Sequence, residues 1–87
     1  MNQHTQTVKR LVVEALMLDV PPDEIGEDAS LRATLGVDSV GFLEILTALE
    51  DEFDVALLDA DTRIETTDSV AQLADRLQAA LAGRDPA

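Results

Sequence analysis

Apolar residues recur early in the chain at helical spacing. Val8, Leu11, Val12, Ala15 and Leu16 stand at i, i+3, i+4, i+7 and i+8. A stripe of that kind predicts an amphipathic helix with one buried face. The pattern places its end at DVPPDE, where two prolines remove amide donors and bias the preceding residue towards extended backbone. From Pro21 to about Val37 the period is lost in a stretch rich in Asp, Glu, Gly and Pro. A connection of that length is too long to be idle in a small domain, so Ile25, Leu31 and Leu35 are expected to plug the core. Gly36 before Val37 reads as a tight turn. The helical period resumes from about Ser39 to Phe53, with Phe42, Ile45, Leu46, Leu49 and Phe53 on the inward face. ALLDADTRIE then leaves room for one short helical turn carrying Ile64 inward. Val70, Leu73, Ala74, Leu77 and Leu81 make the stripe of a last helix, which GRDPA ends with a glycine stop, a proline and a frayed tail. The prediction is an all-α fold, a small four-helix bundle of three main helices plus one short one, with a long first loop. It is a single domain over residues 1–87, ordered over about 5–82.

Composition narrows this picture. The chain has 87 residues, 46% hydrophobic but only 2% aromatic, with Phe42 and Phe53 as its aromatic pair. A domain of this size buries about 60% of the surface its unfolded chain exposes, so the core is modest and made of Leu, Val, Ile and Ala. Without cysteine there is no disulfide framework, thiolate metal site or cysteine nucleophile, which is compatible with a reducing compartment. Eighteen acids against six bases give a net charge of −12. That surface repels phosphate backbones and anionic membranes, so nucleic-acid and membrane partners are excluded. It suits proteins with basic patches, or metal cations. The first residues carry no long apolar run and no small-residue cleavage site, so neither a signal peptide nor a membrane span is expected. The expected location is the cytoplasm and the expected state a monomer.

One tripeptide, DSV, occurs at Asp38-Ser39-Val40 and again at Asp68-Ser69-Val70, each time where a helix begins. Ser69 has a structural explanation: Ser69 and Gln72 have the spacing of a capping box, although Asp68 or Thr67 could cap instead. Ser39 lacks the box, because the residue three further on is Phe42. Asp38 can cap that helix, which leaves the Ser39 hydroxyl at the first helical position, facing solvent behind a glycine turn. An anion attached there would gain about 0.3–1 kcal/mol from the helix N-terminus. On these residues alone an ordinary helix start is the better reading; they make Ser39 available without assigning it a role.

The stretch LRATLGVDSVGFLEILTALEDEFDV adds to this. It resembles the heart of an acyl carrier protein, a family with an Asp-Ser-Leu-type motif after a Leu-Gly turn, followed by an apolar and acidic helix. The matching residues are Leu35, Gly36, Asp38, Ser39, Leu49, Glu50, Asp51, Glu52 and Phe53, and the likeness extends over most of the chain. The resemblance implies that Ser39 receives 4′-phosphopantetheine from coenzyme A through a separate phosphopantetheinyl transferase, with Asp38 as motif residue and helix cap. The arm would hold an acyl or polyketide group as a thioester. The protein would be a carrier rather than an enzyme, serving discrete acyl-loading and acyl-processing enzymes with basic docking patches. An aminoacyl or peptidyl carrier stays open as an alternative. His4, the chain's one histidine, is expected in a disordered N-terminal stretch, so no base stands near Ser39.

The resemblance also directs attention to a docking face of Val40, Leu43, Glu44, Glu50, Asp51 and Glu52. Glu50, Asp51, Glu52 and Asp54 cluster at the C-terminal end of the motif helix, where its dipole disfavours anions. Solubility explains such acids as well; docking would use them to steer basic partners, more weakly in salt. Val40 and Leu43 lie off the core stripe and are expected to be partly buried. Val40 stands where the family most often has Leu, Gly41 at an often acidic place, Phe42 in place of a small polar residue, and Thr47 where Met is frequent. Gly41 weakens the first turn by up to about 1 kcal/mol relative to Ala. These departures spare the attachment and open the question of cargo, since Phe42 could narrow a cavity for long acyl chains.

An autonomous enzyme is disfavoured, because three serines, no cysteine and one remote histidine assemble neither a triad nor a zinc site. A calcium loop starting at Asp59 fails, since Ile64 stands at the turn glycine and Val70 at the twelfth position. The remaining rival is an acidic helical interaction module that keeps the fold and leaves Ser39 unmodified.

Overall fold

A computed structural model describes residues 3–57, 63 and 65–83. Four α helices and no strand occur among them: α1 (Thr5–Leu16), α2 (Leu31–Leu35), α3 (Ser39–Phe53) and α4 (Val70–Gly83). A 3-10 turn, Pro22–Glu24, lies between α1 and α2. The apolar stripes meet as the spacing requires: Val8, Leu11 and Val12 of α1 face Phe42, Ile45, Leu46 and Leu49 of α3 and Val70, Leu73, Ala74 and Leu77 of α4 in one buried core. Burying each large aliphatic side chain contributes roughly 1.5–3 kcal/mol relative to exposure, so this core holds the bundle together. α1 packs on both α3 and α4.

The first connection differs from its sequence reading. The helix ends at Leu16, ahead of the prolines, because Met17 takes a left-handed conformation (φ 54°) and the Leu18 amide turns back to the Val13 carbonyl at 2.9 Å. Pro22 starts the 3-10 turn, a position where its missing amide costs nothing. The rest of the connection contains α2, a helix too short to show a period. The Ser30 hydroxyl caps it by accepting the Ala33 amide at 3.0 Å. Ile25 and Leu31 are buried as expected, whereas Leu35 is half-buried against the core. Two backbone bonds tie the loop to the start of α4: Leu31 N–H to the Asp68 carbonyl (2.7 Å) and Ala71 N–H to the Glu27 carbonyl (2.9 Å).

The short helix expected over ALLDADTRIE, with Ile64 pointing inward, and the frayed tail after Gly83 lie outside the described residues. His4 is placed against expectation. It stands at the N-cap of α1, half-buried, with its ring edge-on to Phe53 at a centroid distance of 5.2 Å.

Candidate functional site

The approach to Ser39 is built by three consecutive local devices. Gly36 ends α2 at φ 68°, a backbone conformation that costs a residue with a side chain about 1 kcal/mol or more. Val37 is then buried and anchors the chain. Asp38 is extended and caps α3: its Oδ1 accepts the Gly41 amide at 2.8 Å, and its carbonyl accepts the Phe42 amide at 2.8 Å. Asp38 therefore does the capping that the sequence assigns to it, and Ser39 is left exposed at the first position of α3. Its hydroxyl makes no hydrogen bond among the described residues. The amides of Ser39 and Val40, at the positive end of the helix, likewise have no protein acceptor there.

The other two serines are engaged. Ser69 is 7% exposed; its Oγ accepts the Gln72 amide at 3.2 Å and donates to Gln72 Oε1 at 3.4 Å. The capping box closes one residue early, since Gln72 Oε1 takes the amide of Asp68 at 2.8 Å. Ser30 Oγ donates to Asp68 Oδ2 while it accepts from Ala33. Burial on its own would push the Asp68 carboxyl up. The Ser30 hydroxyl, the Arg32 amide and the Arg32 guanidinium outweigh that and hold it below its ordinary value.

The docking candidates separate into two groups. Val40 and Leu43 are 65% and 50% exposed, not partly buried as expected, because they lie off the buried flank of α3 that packs on α1. Glu44 and Asp51 are exposed as well. Glu50, half-buried, accepts the Leu57 amide at 2.6 Å and so fastens the chain beyond α3. Glu52 pairs with Arg10 of α1 at 3.4 Å. Sequence reading missed Met17, which is 89% exposed and faces the same cleft as Val40. Its only sequence signal is an apolar residue beyond the end of a stripe. No group of three His, Cys, Asp or Glu side chains that could hold a metal occurs among the described residues.

The family model for a phosphopantetheine attachment site matches residues 6–77. An acyl carrier protein of a Sulfurovum species is 35% identical over 71 residues, covering 82% of this chain and 85% of that protein. The chain belongs to the acyl carrier protein family. An acyl carrier protein of Bdellovibrio bacteriovorus is 36% identical over 70 residues, 79% of this chain and 87% of that protein. The fold matches the solution NMR structure of the holo acyl carrier protein NE2163 from Nitrosomonas europaea, with a TM-score of 0.79 at 23% identity, covering 92% of this chain and 98% of that one. As an acyl carrier protein the chain is a carrier and not an enzyme, its prosthetic group is 4′-phosphopantetheine, and it works by interaction with partner enzymes. Among its described residues no helix is long and apolar enough to cross a membrane.

Proposed function

We propose that Ser39 is the residue to which 4′-phosphopantetheine is attached, and that the protein presents an acyl or polyketide intermediate to discrete enzymes in the cytoplasm. One observation carries the reading: of the three serines, Ser39 alone is exposed and unengaged among the described residues, because Asp38 has taken over the capping of α3. The residues present suit the group. A phosphodiester on Ser39 Oγ would lie at the start of α3, where the amides of Ser39 and Val40 and the helix dipole favour negative charge by about 0.3–1 kcal/mol. When bound, the group supplies a flexible arm whose thiol holds the cargo as a thioester.

Attachment needs the Ser39 oxygen as nucleophile and a base from outside. Asp38 Oδ1 is held by the Gly41 amide, and His4 packs on Phe53 at the other end of α3. A phosphopantetheinyl transferase with magnesium supplies what is missing. In that reaction Ser39 Oγ bonds to the β-phosphorus of coenzyme A, the bond to the adenosine-bearing phosphate breaks, and the hydroxyl proton passes to the transferase. The docking face of this reading is centred on Val40, Leu43 and Glu44 beside Ser39, with Asp51 further along α3; Glu50 and Glu52 already serve internal bonds.

Incubation with coenzyme A, magnesium and a broad-specificity transferase, followed by intact mass, tests the assignment. Wild type and Ser69→Ala gain one phosphopantetheine each, and Ser39→Ala gains none. Modification that survives in Ser39→Ala would refute it.

A further inference from the structure

The C-terminal end of α1 and the first turns of α3 enclose a cleft of about 420 Å³ that no expectation from the sequence covers. Sites that hold small molecules run from roughly 300 to 1,000 Å³. Gly41 lines the cleft without a side chain. A methyl group there would come within 3.2 Å of Leu16 Cδ2 and 3.4 Å of Asp38 Oδ1, so glycine lets the end of α1 approach α3. Met17 and Val40, the two most exposed large apolar residues of the described chain, line the same cleft from different segments. Met17 is held there in left-handed backbone, which a side chain disfavours.

The polar groups of the cleft are acceptors. Asp38 and Glu44 line it, and no basic residue does. The final amides of α1 are spent on Glu14 and Val13, so the Ala15 and Leu16 carbonyls receive no amide from the described residues. An anion is repelled by such a lining. A neutral chain that alternates apolar groups with N–H and O–H donors suits it. The phosphopantetheine arm beyond its phosphate is such a chain: a gem-dimethyl group, a hydroxyl and two amides, with no charge. Asp38 and Val40, the neighbours of Ser39 on either side, both line the cleft, so a group tethered at Ser39 starts at its edge. A tether of that kind gives an effective concentration in the millimolar range, and weak contacts then suffice to hold the group.

We propose that this cleft, on the α1 side of α3, is the resting place of the carrier's own prosthetic arm. Met17 and Val40 would cover its gem-dimethyl group, and the Ala15 and Leu16 carbonyls would accept from its amides and hydroxyl. The phosphate itself stays outside, at the start of α3 and away from the carboxylates. This inference rests on the proposed attachment at Ser39.

The test compares apo and holo forms of the full-length ¹³C,¹⁵N-labelled protein, the holo form made with unlabelled coenzyme A and a transferase and checked by intact mass. In the holo form the amides of Met17, Leu18 and Gly41 shift, and the arm's methyl protons show isotope-filtered NOEs to the Leu16 and Val40 methyls. Both effects are independent of protein concentration. Met17→Ser, at an exposed position, reduces the holo-minus-apo shifts of Leu18 and Gly41 by about threefold, what losing roughly 25 Å² of apolar contact would do, and does not move the Tm of the apo form. Met17→Leu keeps the shifts. Shifts confined to residues 38–40, NOEs to α4 instead of Leu16, or equal shifts in Met17→Ser would overturn the resting place while the attachment stands. Shifts that grow with protein concentration would do the same, by making the occupant another molecule's arm. A mass that does not change would overturn the attachment, and the resting place with it.

Discussion

Removing the Asp68 carboxylate is the perturbation that most directly probes how the fold presents Ser39. Asp68 stands just before α4, yet it receives the Ser30 hydroxyl, the Arg32 amide at 3.0 Å and the Arg32 guanidinium at 3.5 Å from the α2 region. Asp68→Ala leaves the first two donors without their acceptor. Two hydrogen bonds to an ionised oxygen, at about 1.5–3 kcal/mol each, set a ceiling of roughly 3–6 kcal/mol. Two facts lower it. The Asp68 side chain is 18% exposed, so water replaces part of what is lost, and Arg32 is 48% exposed, which holds the ion pair under about 1 kcal/mol. The expected loss is about 2 kcal/mol, a fall in Tm of about 8–16 °C for a domain of this size. Ser30→Ala breaks the same hydroxyl contact and also the cap of α2, so the two changes are coupled. A double-mutant cycle by thermal melting is expected to show an interaction of about 1 kcal/mol or more. Hydrogen exchange in Asp68→Ala should accelerate over residues 27–37 before it does so in α3. A fall in Tm below about 2 °C, or strict additivity with Ser30→Ala, would refute the pin between α2 and α4.

The same carboxyl gives a pH dependence. It titrates below its ordinary 3.8 in the folded chain, so its stabilisation is complete above that value and fades as pH falls through the folded value; the Tm gap between wild type and Asp68→Asn should close in acid, and a gap that widens would contradict the sign. Gly41→Ala adds helix propensity of up to about 1 kcal/mol against a 3.2 Å contact with the flexible, half-buried tip of Leu16. A net gain of about 0.5 kcal/mol is expected in denaturant melts, and a loss above about 1 kcal/mol would mean Leu16 does not yield. Glu50→Ala forfeits the 2.6 Å bond to the Leu57 amide and should cost about 1–2 kcal/mol, whereas Asp51→Ala, on the exposed face, should stay within about 0.5 kcal/mol by the same melt.

The parts legible in the sequence are those fixed by local rules. α3 runs from Ser39 to Phe53 as read, because an apolar period and an Asp cap mark the same boundaries. The capping bond of Ser69 followed from its spacing to Gln72. What stayed hidden depends on contacts between distant segments. α2 has one fully buried side chain, Leu31, and is held by Ser30 and by Asp68 far along the chain, so no period announces it. His4 is ordered by Phe53, and Glu50 is assigned a structural role only by the return of Leu57. The apolar rim of the cleft comes from Met17 and Val40, which no pattern in either helix links. Exposure of Val40 and Leu43 was misjudged because a position off the core stripe can turn either to a neighbouring helix or to solvent, and only packing decides.

Peptide mapping of the modified protein tests the central claim most directly. Cleavage after Arg10, Arg32, Arg63 and Arg76 puts Ser30, Ser39 and Ser69 on three separate peptides, 11–32, 33–63 and 64–76. After reaction with coenzyme A and a transferase, the account predicts phosphopantetheine on peptide 33–63 alone, with fragment ions placing it at Ser39. Finding it on either of the other two peptides would contradict the account.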